Sequence, residues 1–240
     1  MTLKLVIHSS GRRYLHKDGD LHTQYGVIKE NKIKIGKKIK SHIGQEFIVI
    51  KPTVTDFIKK MKKGAQVIYP KDLGLIAGFS GVSSGWKVVD CGAGSGALSI
   101  FLGNIVGPKG KIISYEKREE FAKVAKENIK LFGLEKVVKV KEKDFLKGAN
   151  EKNADLVCLD MEESEKAVKI AYDMLKLGGF LVIFSARVED VGKNREVLKN
   201  SNFIDVFTIE SGIRKLGYTK CVKIKGFHGY VAYLTFARKS

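Results

Sequence analysis

Residues 88–96 read Val-Val-Asp-Cys-Gly-Ala-Gly-Ser-Gly, a short apolar segment that leads directly into three glycines at alternate positions. The apolar part has the length of a buried β-strand, and glycine lets the following backbone turn tightly and approach a ligand. The same spacing occurs in dinucleotide-binding proteins, whose G-x-G-x-x-G pattern tolerates Ala97 at its last position, and in turns that bind nothing. This stretch therefore predicts a strand, a loop and a helix, with a nucleotide-like cofactor as the favoured ligand.

Strands and helices alternate from residue 87 onward. Apolar runs predict strands at 87–91, 111–116, 137–141, 155–160, 179–185, 204–209 and 231–237. Amphipathic spacing predicts helices near 96–106, 118–132, 164–176 and 189–200. We expect Gly178 and Gly179 to turn into the fifth strand, and residues 211–227 to form a long, basic connection suited to a substrate loop. The alternation implies parallel βαβ units, so the predicted class is α/β with a Rossmann-like, doubly wound, mostly parallel sheet.

The first quarter of the chain has a different pattern. Short apolar runs at 3–7, 26–28 and 47–50 are separated by glycine and polar turns, which predicts a small β-rich unit. A short helical pattern at 56–61 follows Pro52 and Thr53. We therefore expect an N-terminal β-rich domain with a linker helix at 1–63, and a catalytic α/β domain at 64–240.

Three acidic residues follow predicted strands of the α/β domain. Glu116 ends the second strand, about 20 residues after the glycine loop, where an acid accepts hydrogen bonds from ribose hydroxyls. Asp144 follows the third strand and suits an acceptor for the amine of a cofactor's adenine, although aspartate is also common in turns. Asp160 closes an apolar strand at the sheet edge where ligands of open α/β sheets collect. These positions predict one site at the carboxyl ends of the strands.

The chain is strongly basic. It carries 44 Lys and Arg against 26 Asp and Glu, a formal net charge of +18, of which +10 falls in residues 1–63. A lysine-rich solubilising surface would enrich glutamate as well, and glutamate does not keep pace here. The excess therefore favours a polyanionic partner such as nucleic acid.

Other composition features exclude several classes of protein. The three cysteines are scattered, odd in number and not spaced with histidines as metal ligands, so the sequence predicts neither a disulfide framework nor a metal site. No apolar run is long enough for a membrane span, and the N-terminus lacks the apolar region of a signal peptide. We expect a cytoplasmic protein with no membrane contact.

Residues 62–74 read Lys-Lys-Gly-Ala-Gln-Val-Ile-Tyr-Pro-Lys-Asp-Leu-Gly. This segment resembles the archaeal and bacterial branch of the tRNA (adenine-N1)-methyltransferase family. The resemblance extends over nearly the whole chain. It includes Tyr14-Leu15, His22-Thr23 and Gly26-Val27-Ile28, then the loop from Asp90 to Leu98, Ser114-Tyr115-Glu116 and Asp160.

The resemblance implies a class I S-adenosylmethionine-dependent methyltransferase fold with a small N-terminal β-domain, assembled as a homotetramer. The activity it implies is methylation of N1 of adenosine at position 58 of the tRNA T loop, and in archaeal members often also at position 57. Asp160 would be the catalytic residue, in contact with both cofactor and target base, and Tyr69 and Asp72 would border the methionine end of the cofactor. The remaining cofactor-binding residues would be Gly92, Gly94, Ser95, Gly96, Ala97, Leu98, Glu116, Phe121 and Asp144.

Two positions depart from the pattern of the family. Many relatives carry a His-Thr pair where this chain has Phe227-His228-Gly229-Tyr230, which leaves the role of His228 open. Many also carry a tyrosine on the fifth strand where Phe184 lies here, so a contact through that hydroxyl does not carry over.

Three other functions remain open at this point. A non-catalytic tRNA-binding subunit should have lost the glycine loop or Asp160, and this chain has both. A methyltransferase for protein isoaspartate or a small molecule would not explain the charge or the N-terminal β-rich segment. A nicotinamide-dependent oxidoreductase would bind NAD in place of S-adenosylmethionine.

Overall fold

The fold was analysed in a computed structural model that describes residues 2–64, 66–218, 222–227 and 231–240. The chain divides into two compact units, Met1–Lys62 and Lys63–Ser240. Cys221, one of the three cysteines, and His228, whose role the sequence leaves open, lie outside the described residues.

The first unit is an antiparallel β structure. Its strands are β1 (Lys4–His8), β2 (Arg13–His16), β3 (Leu21–Thr23), β4 (Gly26–Ile28), β5 (Lys38–Lys40) and β6 (Glu46–Ile50), followed by the helix α1 (Val54–Lys60). The main sheet has the order β2-β1-β6-β5, and β3 and β4 form a hairpin. Val6, Ile28, Phe47 and Val49 pack in its core. Thr53 begins α1 through a capping box with Asp56, which satisfies backbone groups at the helix start.

The second unit is a mixed sheet covered by helices. In chain order it contains α2 (Pro70–Ser80), β7 (Lys87–Cys91), α3 (Ala97–Val106), β8 (Lys111–Glu116), α4 (Glu119–Phe132), β9 (Val138–Glu142), β10 (Ala154–Leu159), α5 (Ser164–Met174), β11 (Leu175–Ser185), α6 (Val188–Lys199), β12 (Phe203–Ser211), β13 (Arg214–Tyr218), β14 (Val222–Phe227) and β15 (Ala232–Lys239). The sheet order is β12-β15-β11-β10-β7-β8-β9, in which β15 runs antiparallel to its neighbours. The predicted α/β fold with a mostly parallel, doubly wound sheet is confirmed.

The strand order places the functional edge of the sheet. From β7 the chain winds to β8 and β9 on one side, and then returns to β10 and β11 on the other. The gap between the carboxyl ends of β7 and β10 is therefore the topological switch point, where open α/β sheets bind ligands. Residues that follow these two strands are positioned by the buried sheet core, which includes Val89, Val157 and Leu159.

Two local predictions need correction, and one helix was not predicted. Gly178 and Gly179 do not form a turn before a strand, because β11 already begins at Leu175 and pairs through a register shift beside Ala154, with Gly178 at a φ of +73°. The connection at 211–227 contains the antiparallel hairpin of β13 and β14. The segment that begins at Tyr69 starts α2, with Pro70 at the first helical position, where its missing N–H has no helical partner to lose.

Candidate active site

The turn after β7 requires glycine at position 92. Gly92 has a φ of +104°, and a Cβ added to it would lie 1.9 Å from the backbone carbonyl oxygen of Asp160. The Asp160 amide donates to the Cys91 carbonyl at 2.8 Å, while the amides of Gly92 and Ala93 donate to the Tyr115 carbonyl at 3.0 and 2.9 Å. The loop is thus closed on both sides by the strands next to β7.

The rest of the glycine loop is held by side chains from the same unit. The Gly94 amide donates to Oε2 of Glu116 at 2.9 Å, and Oγ of Ser95 accepts from the Gly64 amide at 2.9 Å. Asn128 of α4 donates to the Ser95 carbonyl. Gly96, at a φ of +84°, precedes α3, whose first residues Ala97 and Leu98 are buried. The loop therefore presents backbone groups and the start of a helix at the sheet edge, a geometry suited to polar ligand groups.

Glu116 is nearly inaccessible at the end of β8, with 4% of its surface exposed. Besides Gly94, its carboxylate accepts from the Arg118 amide at 3.1 Å and lies 3.4 Å from Nε of Arg118. The Arg118 guanidinium also stacks over the ring of Phe121 at 4.0 Å from the centroid. These contacts connect Glu116 directly with Gly94 of the glycine loop and, through Arg118, with Phe121.

A further carboxylate lies within β7, just before the glycine loop. Asp90 is completely buried within β7, and its Oδ2 accepts from the hydroxyls of Ser99 and Ser114 at 2.6 and 2.8 Å. Its Oδ1 is buried and has no hydrogen-bond partner among the described residues. Burial raises the pKa of Asp90 to about 6, against the effect of the two serine hydroxyls and with help from the charge of Glu116.

Asp160 shares this negative environment. Burial, followed by the charges of Asp90 and Glu116, raises the pKa of the Asp160 carboxyl to about 7. The charge of Glu116 thus disfavours the ionised forms of both Asp90 and Asp160. A ligand that brings positive charge or hydrogen-bond donors would relieve this repulsion, and perturbed acids of this kind are common at functional sites.

Asp144 follows a residue whose backbone is hydrogen-bonded to Glu116. The amide of Lys143 donates to the Glu116 carbonyl at 3.0 Å, and Asp144 then caps a short 3-10 helix at 145–147 by accepting from the Leu146 amide at 3.0 Å. The side chain is partly exposed, with Lys147 at 3.9 Å. Both proposed interpretations of this residue, turn chemistry and a place beside the site, are thus compatible with its position.

Tyr69 and Asp72 have different surroundings at the start of α2. Tyr69 is 44% exposed. Asp72 is buried and paired with Lys71 at 2.7 Å, and it accepts a hydrogen bond from Ser211 at the end of β12. Nζ of Lys71 also donates to Oγ of Ser211 at 2.7 Å. These contacts of Asp72 connect α2 to β12 and do not involve the glycine loop.

Asp90 was not predicted as a residue of the candidate site, although the sequence contained a signal for it. An aspartate within the apolar run Val88-Val89-Asp90-Cys91 would be costly in a buried strand without partners.

Phe184 lies partly buried on β11, opposite Leu234, where it offers no hydroxyl.

The part of the chain that the structure describes shows neither a cluster suited to a metal ion nor a helix suited to a membrane span. There, His, Cys, Asp and Glu side chains form no group of three or more that could hold a metal ion. Cys91 and Cys158 are buried free thiols, and burial raises the pKa of each well above its usual value. None of the helices at 2–64, 66–218, 222–227 and 231–240 combines the length and apolar character needed to cross a membrane.

Comparisons with known proteins agree on a group of relatives. Residues 46–226 match the family model described as the tRNA methyltransferase complex GCD14 subunit. The chain is 33% identical to the Methanocaldococcus jannaschii protein named tRNA (adenine(57)-N(1)/adenine(58)-N(1))-methyltransferase TrmI, over 98% of this chain and 94% of that protein.

Two solved structures are similar over almost the whole chain. One is described as an S-adenosylmethionine-dependent O-methyltransferase from Thermotoga maritima, with a TM-score of 0.90 and 31% identity, covering 99% of this chain and 92% of that one. The other is the tRNA (m1A58) methyltransferase TrmI from Aquifex aeolicus, with a TM-score of 0.82 and 26% identity, covering 99% and 96%. Both matches include the N-terminal β unit as well as the α/β unit.

Proposed function

We infer the reaction of this chain from its family, since the chain belongs to the tRNA methyltransferase family described as the GCD14 complex subunit. The protein is an S-adenosylmethionine-dependent tRNA (adenine-N1)-methyltransferase, and its acceptor is N1 of adenosine in the T loop. The observation that carries this conclusion is the 33% identity to the Methanocaldococcus jannaschii enzyme over 98% of the chain. The O-methyltransferase description of the Thermotoga maritima structure names oxygen as the acceptor atom but gives no acceptor molecule, whereas the name of the Methanocaldococcus jannaschii relative specifies N1 of adenine in tRNA.

The residues of the site fit S-adenosylmethionine. The unpartnered Oδ1 of Asp90 and the negative charge of Glu116 and Asp160 suit a ligand with an ammonium group, a sulfonium and ribose hydroxyls. The Gly92 turn leaves room where a Cβ would meet backbone, and Ser95, Ala97 and Leu98 carry amides at the start of α3. The cofactor, when bound, supplies a methyl group activated by a positively charged sulfur.

We assign roles to the residues on this basis. Glu116 accepts from the ribose hydroxyls, Asp144 from the adenine amine, and Phe121 with Leu98 borders the adenine. Gly92, Gly94, Ser95, Gly96 and Ala97 form the backbone of the pocket. Tyr69 and Asp72 lie toward the methionine end, where the buried Lys71–Asp72 pair keeps the start of α2 in place.

Asp160 stabilises the product charge in this mechanism. N1 of adenine has a lone pair and carries no proton, so no base is needed to activate it, and positioning dominates. After transfer the ring is positively charged, and a carboxylate that accepts from the exocyclic amine stabilises this state more than the neutral ground state. The raised pKa of Asp160 falls as positive charge arrives, so the carboxylate form is favoured when it is needed.

The tRNA must be held while the target base is unstacked and moved into the pocket. The exposed Lys32, Lys34, Lys37 and Lys38 in the N-terminal unit suit phosphate contacts. The β13–β14 hairpin suits a second contact with the tRNA. Ser211, at the end of β12, pairs with Ala232, and Ser185, at the end of β11, pairs with Tyr233. This register places the base of the hairpin beside the carboxyl end of β11, on the edge that also carries Asp160.

Three finer points belong to the proposal. Position 58 is the proposed target, with position 57 as a further one in view of the name of the Methanocaldococcus jannaschii relative. A homotetramer is the proposed assembly, to be measured by light scattering coupled to size-exclusion chromatography. The proposed location is cytoplasmic, where unmodified tRNA is available.

The proposed function is tested by incubating the full chain with methyl-labelled S-adenosylmethionine and an unmodified tRNA transcript. Nuclease digestion and mass spectrometry should place N1-methyladenosine at position 58, and a transcript with guanosine at position 58 should lose that signal. Label in a fragment that contains neither position 57 nor 58, or on another nucleobase atom, would refute the assignment.

A further inference from the structure

Tyr115 contacts three segments of the site at once. It is the last residue of β8 before Glu116 and is 1% exposed. Its carbonyl accepts from the Gly92 and Ala93 amides, while its ring packs edge-on against Phe145, with centroids 5.4 Å apart. One residue therefore touches the glycine loop, precedes the ribose-binding acid and packs beside the residue that follows Asp144.

The hydroxyl of Tyr115 extends this connection to Glu151. It donates to the Glu151 carboxylate, and Lys141 of β9 donates to the same carboxylate and, at 3.3 Å, to the tyrosine oxygen. Glu151 lies at the far end of the loop that begins at Asp144, and it is buried. Burial alone would raise the pKa of Glu151, but the hydrogen bonds from Lys141 and Tyr115 lower it, so the group stays ionised.

The Tyr115–Glu151–Lys141 cluster has no part in the chemistry described above. A buried carboxylate held by a phenol and an ammonium group resists separation, since either partner left alone would be buried without compensation. The cluster thus fastens residues 144–151 to β8 and to the edge strand β9. Asp144 and Phe145 lie at the beginning of this fastened loop.

We propose that Tyr115 and Glu151 are positioning residues for the adenosine half of S-adenosylmethionine, because they lock the 144–151 loop against β8 and the glycine loop. This inference rests on the proposed function, since it assumes that Asp144 and Glu116 contact the adenosine. Neither side chain touches the transferred methyl group. Both set the geometry of residues that bind the cofactor.

The proposal predicts a defined pattern of binding. Tyr115→Phe keeps the ring and removes the hydroxyl, and Glu151→Gln keeps the shape and removes the charge. Each should weaken binding of S-adenosylhomocysteine about tenfold by calorimetry, as expected when one buried polar group loses its partner. Binding of methylthioadenosine, which lacks the amino-acid part, should weaken by the same factor. The rate of tRNA methylation at saturating cofactor should stay within about twofold.

The controls separate positioning from a general loss of structure. Tyr172→Phe removes a hydroxyl that donates to the Ser240 carbonyl at 3.0 Å elsewhere in the same unit, and it should leave binding of both ligands unchanged. The double variant should weaken binding less than the product of the two single effects, because both act on one contact. Faster amide hydrogen exchange at 144–151 in the two single variants should accompany the weaker binding.

The outcomes are distinct. If the wild-type chain binds no S-adenosylhomocysteine, the proposed function fails before the positioning residues are tested. If the wild type binds and both single variants bind equally well, the positioning inference is wrong. Weaker binding of S-adenosylhomocysteine without weaker binding of methylthioadenosine would also overturn it, because the effect would then lie at the methionine end.

Discussion

The backbone carbonyl oxygen of Asp160 occupies the space that a side chain at Gly92 would need. The distance from an added Cβ to that oxygen is 1.9 Å, and the carbonyl belongs to the backbone, which cannot swing aside as a flexible side chain could. Gly92 and Asp160 directly follow two neighbouring parallel strands, and although they are 68 positions apart in the sequence they are in contact at the switch point of the sheet. The glycine loop and the proposed catalytic aspartate form one structural unit.

Gly92→Ala should destabilise the protein and abolish cofactor binding. Gly133→Ala is the matched control, since Gly133 also has a positive φ, of +86°, but an added Cβ meets nothing within 4 Å. The control should cost about 1 kcal/mol from backbone strain alone and keep cofactor binding. Denaturant unfolding and calorimetry with S-adenosylhomocysteine measure both effects. If Gly92→Ala lost no more stability and no more cofactor binding than Gly133→Ala, the contact with the Asp160 carbonyl would matter for neither.

Asp160→Ala should lower the rate of T-loop methylation by about 100-fold or more, the scale for removal of one group that stabilises transition-state charge. Binding of tRNA, measured by filter retention, should change less than about threefold. Asp173→Ala, at an exposed aspartate of α5 that pairs with Lys169, is the control and should behave as wild type. Near wild-type turnover of Asp160→Ala would remove this residue from the mechanism.

The pH dependence of kcat/KM should report the ionisation of Asp160. Its pKa is raised to about 7 in the cofactor-free chain, and the carboxylate is the active form. The kcat/KM for S-adenosylmethionine, which reports the cofactor-free enzyme, should therefore rise from pH 6 and level off above pH 8. Asp160→Asn should have low activity with no such rise. A wild-type profile that is flat across this range, with chemistry limiting the rate, would contradict the assignment.

Asp160→Asn should also stabilise the cofactor-free protein at high pH. The folded chain holds the proton up to about pH 7, whereas the unfolded chain releases it near pH 3.8, so the stability of the wild type falls between these values. The variant avoids this loss, so its free energy of unfolding should exceed that of the wild type by about 1 to 2 kcal/mol at pH 8 and be equal at pH 4. Urea unfolding at both pH values tests the prediction, and no gain at pH 8 would show that the carboxylate is well solvated.

Charge reversal of Lys32, Lys34, Lys37 and Lys38 to glutamate should weaken tRNA binding and reduce its dependence on salt. Each lost phosphate contact should lower the slope of log affinity against log salt by about 1. Reversal of Lys109, Lys111, Lys136 and Lys139, which are exposed near the amino ends of the strands, changes the net charge equally and should leave more of the slope. An identical slope in the two variants would assign the effect to net charge alone.

Much of the α/β fold follows from local patterns in the sequence. The bounds of β7 and β8 are as predicted, and most other elements differ by one or two residues, because hydrophobic periodicity and glycine positions act over short distances. The α2 helix and the β13–β14 hairpin were not predicted, since Pro70 at a helix start and a basic, turn-rich segment give weak periodic signals.

The sequence by itself determined which chemical groups follow which strand: the glycine loop after β7, Glu116 at the end of β8, Asp144 after β9 and Asp160 after β10. It could do so because the carboxyl ends of parallel strands share one edge. Only the tertiary structure decided their partners. The strand order puts β10 beside β7, which makes Gly92 obligatory and couples Asp90 to Asp160 electrostatically. The fold also joins Tyr115 of β8 to Glu151, which lies between β9 and β10. Burial and long-range pairing create these relationships, and neither is encoded in the spacing of any single segment.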